Sequence, residues 1–273
     1  PTMVERGQRV FPQSQKASDV TRALTGCLGS ENLRLRSGAD SLLMEDGQVY
    51  GAKLADGQEL RAKAVILATG GLSYPLTGST GDGHRMAREA GHAVSGLYPS
   101  LTGFDTEDPW MPGLKGLTLK NVALSASWSG KNRFSQQGEL LFTHFGLSGP
   151  LALSLSSYLA GEDVSKAVAS LDLKPALDPR TLRARLDRDI SEQGRRGLQG
   201  LLPAYLPSSL AAVFPDILGF DGRKPLSQLT GAERDKVVMG LKALPIHLKA
   251  HRSFKEAVVT RGGVDTRQVN PST

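Results

Sequence analysis

The residues best placed to do chemistry form a glycine-rich stretch from Thr69 to Gly83, which follows a short apolar run. Its five glycines and Pro75 exclude a regular helix or strand, so we predict a shaped loop. Glycines let backbone N–H groups come close to an anionic or planar ligand, and a following helix N-terminus adds positive potential. The pattern predicts a loop that faces a nucleotide or cofactor; the alternative is a flexible surface connection.

His144 is the best candidate for a general acid or a substrate-binding group. It lies between the end of a predicted strand and Ser148-Gly149-Pro150, which is typical of a helix start with proline at the first helical position. A purely structural histidine is the competing interpretation. The other histidines show no ligand spacing with carboxylates, and Cys27 is the single cysteine, so we predict no metal site and no disulfide.

The elements around the loop predict how it is positioned. The run from Ala64 to Ala68 is continuously apolar, which favours a strand buried on both faces of a parallel sheet. Thr80 or Asp82 can cap a helix that starts after the loop and ends near Gly91. Strand, glycine loop and helix together indicate an α/β doubly wound domain, in which ligands bind beyond the carboxyl ends of the strands.

The segment before that strand predicts a β-meander. Asp46-Gly47 and Asp56-Gly57 both separate apolar alternating runs, and Asp-Gly favours tight hairpin turns. Further upstream we predict a loop over Arg9–Pro12. A helix capped near Ser14 follows it, with Cys27 buried on its apolar face.

The character of the chain changes after residue 96, where an irregular segment rich in proline and glycine begins. Val122, Leu124, Ala126 and Trp128 alternate as a half-buried strand does, and two further strands are predicted near residues 140–143 and 168–173. We interpret this part as an antiparallel, barrel-like β unit. Helices follow it, with strong starts at Asp178-Pro179 and at Thr230, which has a glutamate three residues later.

Composition and charge are those of a globular protein. The 273 residues carry a net charge of +6, and the isoelectric point is about 9.5. The densest basic groups, Arg183 to Arg188 and Arg195-Arg196, come with no nucleic-acid motif, so we interpret them as a solvated face and expect no nucleic-acid partner. No apolar run approaches the ~20 residues of a spanning helix, and no signal peptide opens the chain. We expect a cytoplasmic protein with no membrane contact.

Four blocks carry a resemblance to a known family. They are Arg9-Val10-Phe11-Pro12; Ala68-Thr69-Gly70-Gly71-Leu72-Ser73-Tyr74-Pro75 with Thr77 to Gly83; Gly138 to His144 with Gly146 to Pro150; and Ala257 to Thr260 with Gly262-Gly263-Val264. In this order they resemble the bacterial aminoacetone oxidase-like FAD flavoproteins, a family of NAD(P)/FAD-dependent oxidoreductases that includes a flavin-dependent reductase of dehydro bile acids. The glycine loop is more distantly similar to that of the fumarate reductase and succinate dehydrogenase flavoproteins.

The resemblance implies an FAD-binding domain of glutathione reductase type interrupted by an inserted substrate-side domain. On this interpretation residues 1–96 and 256–273 belong to the FAD domain, and residues 97–255 form the insertion. The cofactor would be FAD, with NAD(P)H a candidate electron donor, and the substrate a small ketone, amine or unsaturated carbonyl compound. The oligomeric state stays open.

The implied site has two groups of residues. Cofactor contacts are expected from Ala68, Thr69, Gly70, Gly71, Thr80, Gly81, Asp82, Gly83 and Arg9. Tyr74 joins His144 as a catalytic candidate, because it could cover the flavin ring or donate a proton. Each has a plainer alternative: Asp82 as a helix cap, Tyr74 as a plug against the sheet, and Arg9 as a surface residue.

The sequence departs from the family at both ends. No Gly-x-Gly-x-x-Gly follows an N-terminal strand, and the chain stops at Thr273, before the family's closing glycine-rich loop and helix. We therefore expect an internal fragment of a longer flavoprotein, for which FAD binding by this chain alone is an open question. The alternative function is a non-redox module that binds an anionic ligand or nucleic acid.

Overall fold

The computed structural model describes residues 1–5 and 8–272. The chain divides into two compact units, Pro1–Ile66 and Leu67–Thr273. The predicted mixed α/β class, with a β-meander and an antiparallel barrel, is confirmed. The domain boundaries predicted at residues 96 and 255 stay a prediction.

Among its described residues, the first unit contains two small antiparallel sheets and one α-helix. Its elements are β1 (Thr2–Glu5), β2 (Arg9–Pro12), α1 (Ala17–Thr25), β3 (Ala39–Glu45), β4 (Gln48–Leu54) and β5 (Glu59–Arg61). Strands β3, β4 and β5 pair in that order and form the predicted meander. Asp46 and Gly47 both have positive φ, 48° and 76°, which is the conformation that an Asp-Gly hairpin turn requires.

Three predictions in this unit are wrong. Arg9–Pro12 is not a loop but strand β2, paired with β1, since the extended backbone before a proline also suits a strand. Helix α1 begins at Ala17 with no side-chain cap, so Ser14 does not cap it. Cys27 is exposed, because the apolar face of α1 is not covered within the unit and Leu24 is 66% exposed.

The second unit holds the other six helices and eight strands of the described residues. They are α2 (Asp82–Glu89), β6 (Tyr98–Ser100), β7 (Phe104–Thr106), β8 (Thr118–Trp128), β9 (Lys131–Phe142), β10 (Gly146–Ser148), α3 (Gly149–Leu159), β11 (Val168–Asp172), α4 (Pro179–Gln193), α5 (Leu198–Leu201), α6 (Ser208–Ile217), α7 (Gly231–Lys242), β12 (Leu244–His251) and β13 (Val259–Arg261). No described helix combines the length and the apolar character that crossing a bilayer demands.

Six of these strands close into an antiparallel barrel in the order β10-β7-β12-β11-β8-β9. Strand β8 follows the predicted alternation, with Val122, Leu124, Ala126 and Trp128 all buried. Helices α4 to α7 share one continuous hydrophobic core with the barrel, to which Leu182, Leu186 and other α4 residues contribute. Outside the barrel, β13 pairs with β6 and returns the chain to the glycine loop.

The predicted starts of the long helices are confirmed. The Asp178 carboxylate accepts hydrogen bonds from the backbone N–H groups of Arg180 and Thr181, both at 2.9 Å. Thr230 and Glu233 form a reciprocal capping box at the start of α7. Each cap satisfies N–H groups that the first helical turn leaves without an intrahelical acceptor.

The capping box gives a pH-dependent stability. A hydrogen bond from Lys224 and one from the Thr230 N–H lower the pKa of Glu233 from 4.5 to about 2. A lowered folded-state pKa adds stability that is complete above the unfolded pKa near 4.5 and is lost as the pH falls through about 2. We expect the stability difference between wild type and Glu233→Gln, measured by urea unfolding, to shrink between those pH values. A difference that stays constant down to the lower value would contradict this.

The predicted strand at Ala64–Ala68 does not form. These residues have no strand partner among the described residues, and Ile66 is 89% exposed. A central parallel strand needs a hydrogen-bonded neighbour on each side, whereas every strand pair of the described residues is antiparallel. The apolar run therefore lies outside every described sheet, and the parallel sheet predicted around it is not among them.

Candidate cofactor site

A single threonine hydroxyl holds the glycine loop against β13. Thr260 Oγ1 accepts hydrogen bonds from the backbone N–H of Leu72 at 2.8 Å and of Ser73 at 3.1 Å. The buried Ser73 hydroxyl lies 3.2 Å from the same oxygen. These contacts join residues 187 and 188 positions apart, so β13 is the element that fixes the loop in place.

Two glycines of the loop are required by close packing. A Cβ at Gly71 would lie 2.5 Å from Thr260 Oγ1, and one at Gly83 would lie 2.2 Å from Thr69 Oγ1. Gly70 has a φ of +74°, a region that other residues seldom adopt. At Gly71 and Gly83 the loop backbone therefore packs directly against threonine hydroxyls.

Helix α2 begins where the loop ends, as predicted, but its cap differs. Gly81, with φ +91°, occupies the N-cap position and no side chain caps the helix. Thr80 Oγ1 donates to the Asp82 carboxylate, so both predicted capping side chains are engaged with each other. Met86 and Ala87 face inward and Gly91 ends the helix, as expected.

A cleft of about 430 Å³ opens beside the loop. It is lined by Gly70, Gly71, Ser73, Tyr74, Thr77, Ser79, His84, Val258, Val259, Thr260 and Gly262. Of the predicted site residues, the structure brings Gly70, Gly71 and Tyr74 together here. Ser73, His84 and Thr260 were missed, although Ser73 and Thr260 lie within the blocks that carry the family resemblance.

Tyr74 holds a strained position at the rim of this cleft. Its backbone is left-handed, with φ 55° and ψ 56°, and its side chain is half exposed. The Thr77 N–H and hydroxyl both donate to the Tyr74 carbonyl, at 2.9 and 2.7 Å, and stabilise this conformation. Strain that neighbouring contacts maintain is common at functional sites.

The other predicted residues do not line the cleft. Ala68, Thr69, Thr80, Gly81, Asp82 and Gly83 lie along the loop and at the start of α2, outside the cleft lining. His144 is exposed in the turn between β9 and β10, with its ring edge against Phe145. Arg9 lies in the first unit, on β2.

An arginine network supports the segment between the barrel and β13. Arg252 donates to Asp105 at 2.9 Å and to both oxygens of Glu256 at 2.8 and 2.6 Å, while its guanidinium lies 4.4 Å from the Phe145 ring centre. The hydrogen bonds from Arg252 lower the pKa of Glu256, and the charge of His144 adds a smaller effect. Residues 253–255 of this segment line a second cleft of about 390 Å³ with the glycine loop.

The cleft fits part of a flavin nucleotide. Its walls combine the glycine backbone of Gly70 and Gly71, hydroxyls from Ser73, Thr77 and Ser79, and the apolar Val258 and Val259. Ligand sites of this mixed composition suit a planar group with polar edges. Gly70, Gly71 and Tyr74 are the residues of this chain that would contact the cofactor.

Two family models match this chain, each over a different range of residues. Residues 22–104 match the FAD binding domain model, which supports FAD as the cofactor. Residues 98–259 match the HI0933-like protein barrel and H2TH domain, which covers the closed barrel and helices α3 to α7.

Known relatives extend over most of the chain. It is 25% identical to the 3-dehydro-bile acid delta(4,6)-reductase of Clostridium scindens, over 98% of this chain and 66% of that protein. It is 29% identical to the ribosomal RNA dihydrouridine synthase of Escherichia coli, over 90% of this chain and 58% of that protein, and 26% identical to the enzyme of the same name from Haemophilus influenzae, over 85% and 55%. The chain thus spans 55 to 66% of the length of these relatives.

The resemblance to a flavoprotein family that includes a dehydro-bile-acid reductase is therefore confirmed. More than half of the chain matches one family model. The chain belongs to the HI0933-like protein family and contains that family's barrel and H2TH domain.

Proposed function

We propose that the protein containing this chain is an FAD-dependent reductase of a carbon–carbon double bond conjugated to a carbonyl group. The observation that carries the proposal is the glycine-walled cleft beside Tyr74 within a chain that matches the FAD binding domain model. The relatives' names support the reaction class. One names a reductase, and the other names synthesis of dihydrouridine, in which the ring double bond conjugated to a carbonyl is saturated.

The chain's own residues would have three tasks. FAD supplies the redox chemistry when bound. The backbone of Gly70 and Gly71 would approach the cofactor closely, and Thr260 would keep the loop in that position. Saturation of a conjugated double bond also consumes a proton, and the donor we propose is the hydroxyl of Tyr74, a residue that lines the cleft.

His144 and the electron donor are further parts of the proposal. The His144 turn is connected through Phe145 and Arg252 to the segment that borders the second cleft, so His144 could bind a substrate that extends beyond the first. NAD(P)H is the electron donor we propose. Neither assignment is needed for the reaction class.

Half-reactions of the purified protein test the reaction class. In the longest gene product that contains these residues, we would reduce bound flavin photochemically without oxygen. We would then add an enone, its saturated ketone, or a uridine-containing RNA. We expect rapid reoxidation by a conjugated alkene and none by the saturated ketone. Reduction of the oxidised flavin by an amine, or reoxidation by no conjugated alkene of either kind, would contradict the proposal.

Replacement of the proton donor should slow turnover without loss of cofactor. Positioned general acids contribute about 100-fold or more to the rate, so we expect Tyr74→Phe to lower the reoxidation rate by about 100-fold with unchanged FAD affinity. Tyr158→Phe, on the half-exposed face of α3, is the matched control and should behave as wild type. Equal rates in wild type and Tyr74→Phe would exclude Tyr74 as the donor.

A further inference from the structure

Two loops of the helical part lie side by side and form a rigid surface. One, residues 194–199, runs from the end of α4 into the first turn of α5, and the other, residues 222–227, follows α6. Four backbone hydrogen bonds join them: Ser227 N to Gly194 O at 3.0 Å, Leu226 N to Arg196 O at 2.9 Å, Leu198 N to Lys224 O at 3.2 Å, and Gln199 N to Gly222 O at 2.9 Å.

Buried side chains and one glycine keep the two loops close together. Leu198 and Leu226, one from each loop, are both 0% exposed in the hydrophobic core. A Cβ at Gly197 would lie 3.0 Å from the Gly222 carbonyl oxygen, so a larger residue there would crowd the two segments. The surface is therefore fixed by the fold.

Three exposed arginines lie in the paired segments, and we call them the arginine patch: Arg195, Arg196 and Arg223. No salt bridge within the described residues joins any of them to a carboxylate, and the one side-chain bond formed is from Arg196 to Gln193 at 2.7 Å. Nearby Arg183 and Arg234, by contrast, both pair with Asp187. The patch arginines thus have no carboxylate partner in the described fold.

Two exposed carboxylates adjoin the patch, Glu192 and Asp221. Asp221 accepts the backbone N–H of Arg223 at 2.9 Å, which turns it toward its own loop. Lys224, in the same segment, is paired with Glu233, so we do not include its charge in the patch. Three arginines against two carboxylates leave the patch positive.

We propose that the arginine patch binds the phosphodiester backbone of RNA. Exposed guanidinium groups without carboxylate partners are suited to bidentate bonds with phosphate oxygens, and several on one rigid surface match a chain of regularly spaced phosphates. The expectation of no nucleic-acid partner rested on scattered charges, but the paired loops bring together arginines that are 28 positions apart in sequence, Arg195 and Arg223. Two relatives are named for action on ribosomal RNA.

The patch is independent of the flavin chemistry as a binding surface. Only its use in recruiting a substrate rests on the proposed reductase function. Failure of RNA binding would leave the reductase proposal standing with a small-molecule substrate, and failure of the reductase would leave RNA binding to be judged by itself.

Fluorescence anisotropy with a labelled ribosomal RNA fragment tests the patch. We would compare wild type with a triple variant of the patch, Arg195→Gln, Arg196→Gln and Arg223→Gln. The control removes three exposed charges elsewhere, Arg180→Gln, Lys120→Gln and Lys249→Gln, and so has the same net charge. We expect at least tenfold weaker binding in the patch variant. The slope of log affinity against log salt should fall by about 2, at about 0.7 for each lost phosphate contact.

The outcomes separate cleanly. The proposal is supported if RNA affinity falls only weakly in the control and strongly in the patch variant. Both variants must also retain the wild-type melting temperature and the reoxidation of their reduced flavin by an enone. Equal loss in the two variants would mean that net charge alone governs binding and would overturn it. Unchanged RNA affinity in the patch variant would also overturn the proposal. If the patch variant lost affinity for poly-glutamate but not for RNA, the patch would be assigned to an acidic protein partner.

Discussion

Gly262→Ala should be among the most damaging single substitutions in the second unit. Gly262 has a φ of +97°, and a Cβ there would lie 2.1 Å from the Gly96 carbonyl oxygen, a backbone atom that cannot rotate away. Left-handed strain costs about 1–2 kcal/mol and forced overpacking about 1–3 kcal/mol. We expect a loss of about 2–5 kcal/mol, measured as a fall of roughly 10 °C in melting temperature.

Gly78→Ala is the control for this prediction. Gly78 has nearly the same φ, +98°, but nothing lies within 4 Å of its would-be Cβ. It should therefore show the backbone strain alone, about 1–2 kcal/mol. Equal losses of stability in the two variants would show that the close contact between Gly262 and Gly96 does not constrain the fold.

Thr260→Val should release the glycine loop and weaken cofactor binding. Valine has the shape of threonine but cannot accept the hydrogen bonds from Leu72 and Ser73. An unsatisfied buried N–H costs about 1–3 kcal/mol, so we expect a loss of about 2–4 kcal/mol, because water can reach part of this site. Urea unfolding and FAD titration by fluorescence would both register the change.

The matched control is Thr260→Ser, which keeps the hydroxyl and removes only a methyl group. It should retain most of the stability and the FAD affinity. Thr260→Val that binds FAD as wild type does, despite reduced stability, would show that the loop position is not needed for the cofactor. In that case the glycine loop beside the cleft would not be part of the cofactor site that we propose.

Features that depend on neighbouring residues were predictable from the sequence. The Asp46-Gly47 turn and the caps at Asp178 and Thr230 all involve contacts within four residues, so the residue types alone determine them. The alternation in β8 was equally clear, because one face of that strand lies in the barrel core. Barrel closure itself agreed with the predicted antiparallel unit.

Features that depend on distant partners were not predictable. An apolar run such as Ala64–Ala68 shows that a segment is suited to burial but not whether a neighbouring strand is present, and here none is among the described residues. The exposed Cys27 illustrates the same point, because an apolar helix face predicts burial but does not show which element would pack against it. A hydrophobic pattern predicts that a segment is suited to burial, but the residues that would cover it are determined by the tertiary fold.

The candidate site also contains some residues that the local sequence could predict and others that depend on distant contacts. The glycine spacing was enough to predict Gly70, Gly71 and Tyr74 in one loop. It could not identify Thr260, because the acceptor for two backbone N–H groups of the loop comes from 187 residues further along the chain. His84 could be placed on a helix but not in a cleft, since periodicity does not report which loop packs beside a helix face.

The most direct test of the central claim is whether flavin occupies the glycine-walled cleft. We would record the visible absorption of the longest purified gene product with two variants that each place a carboxylate at an exposed valine. Val258→Glu puts it on the cleft wall, and Val168→Glu puts it on barrel strand β11, where the side chain is 70% exposed. We predict bound flavin in wild type and in Val168→Glu, and its loss in Val258→Glu at unchanged melting temperature. Flavin retained equally in both variants, or absent from wild type even after FAD is added, would contradict the account.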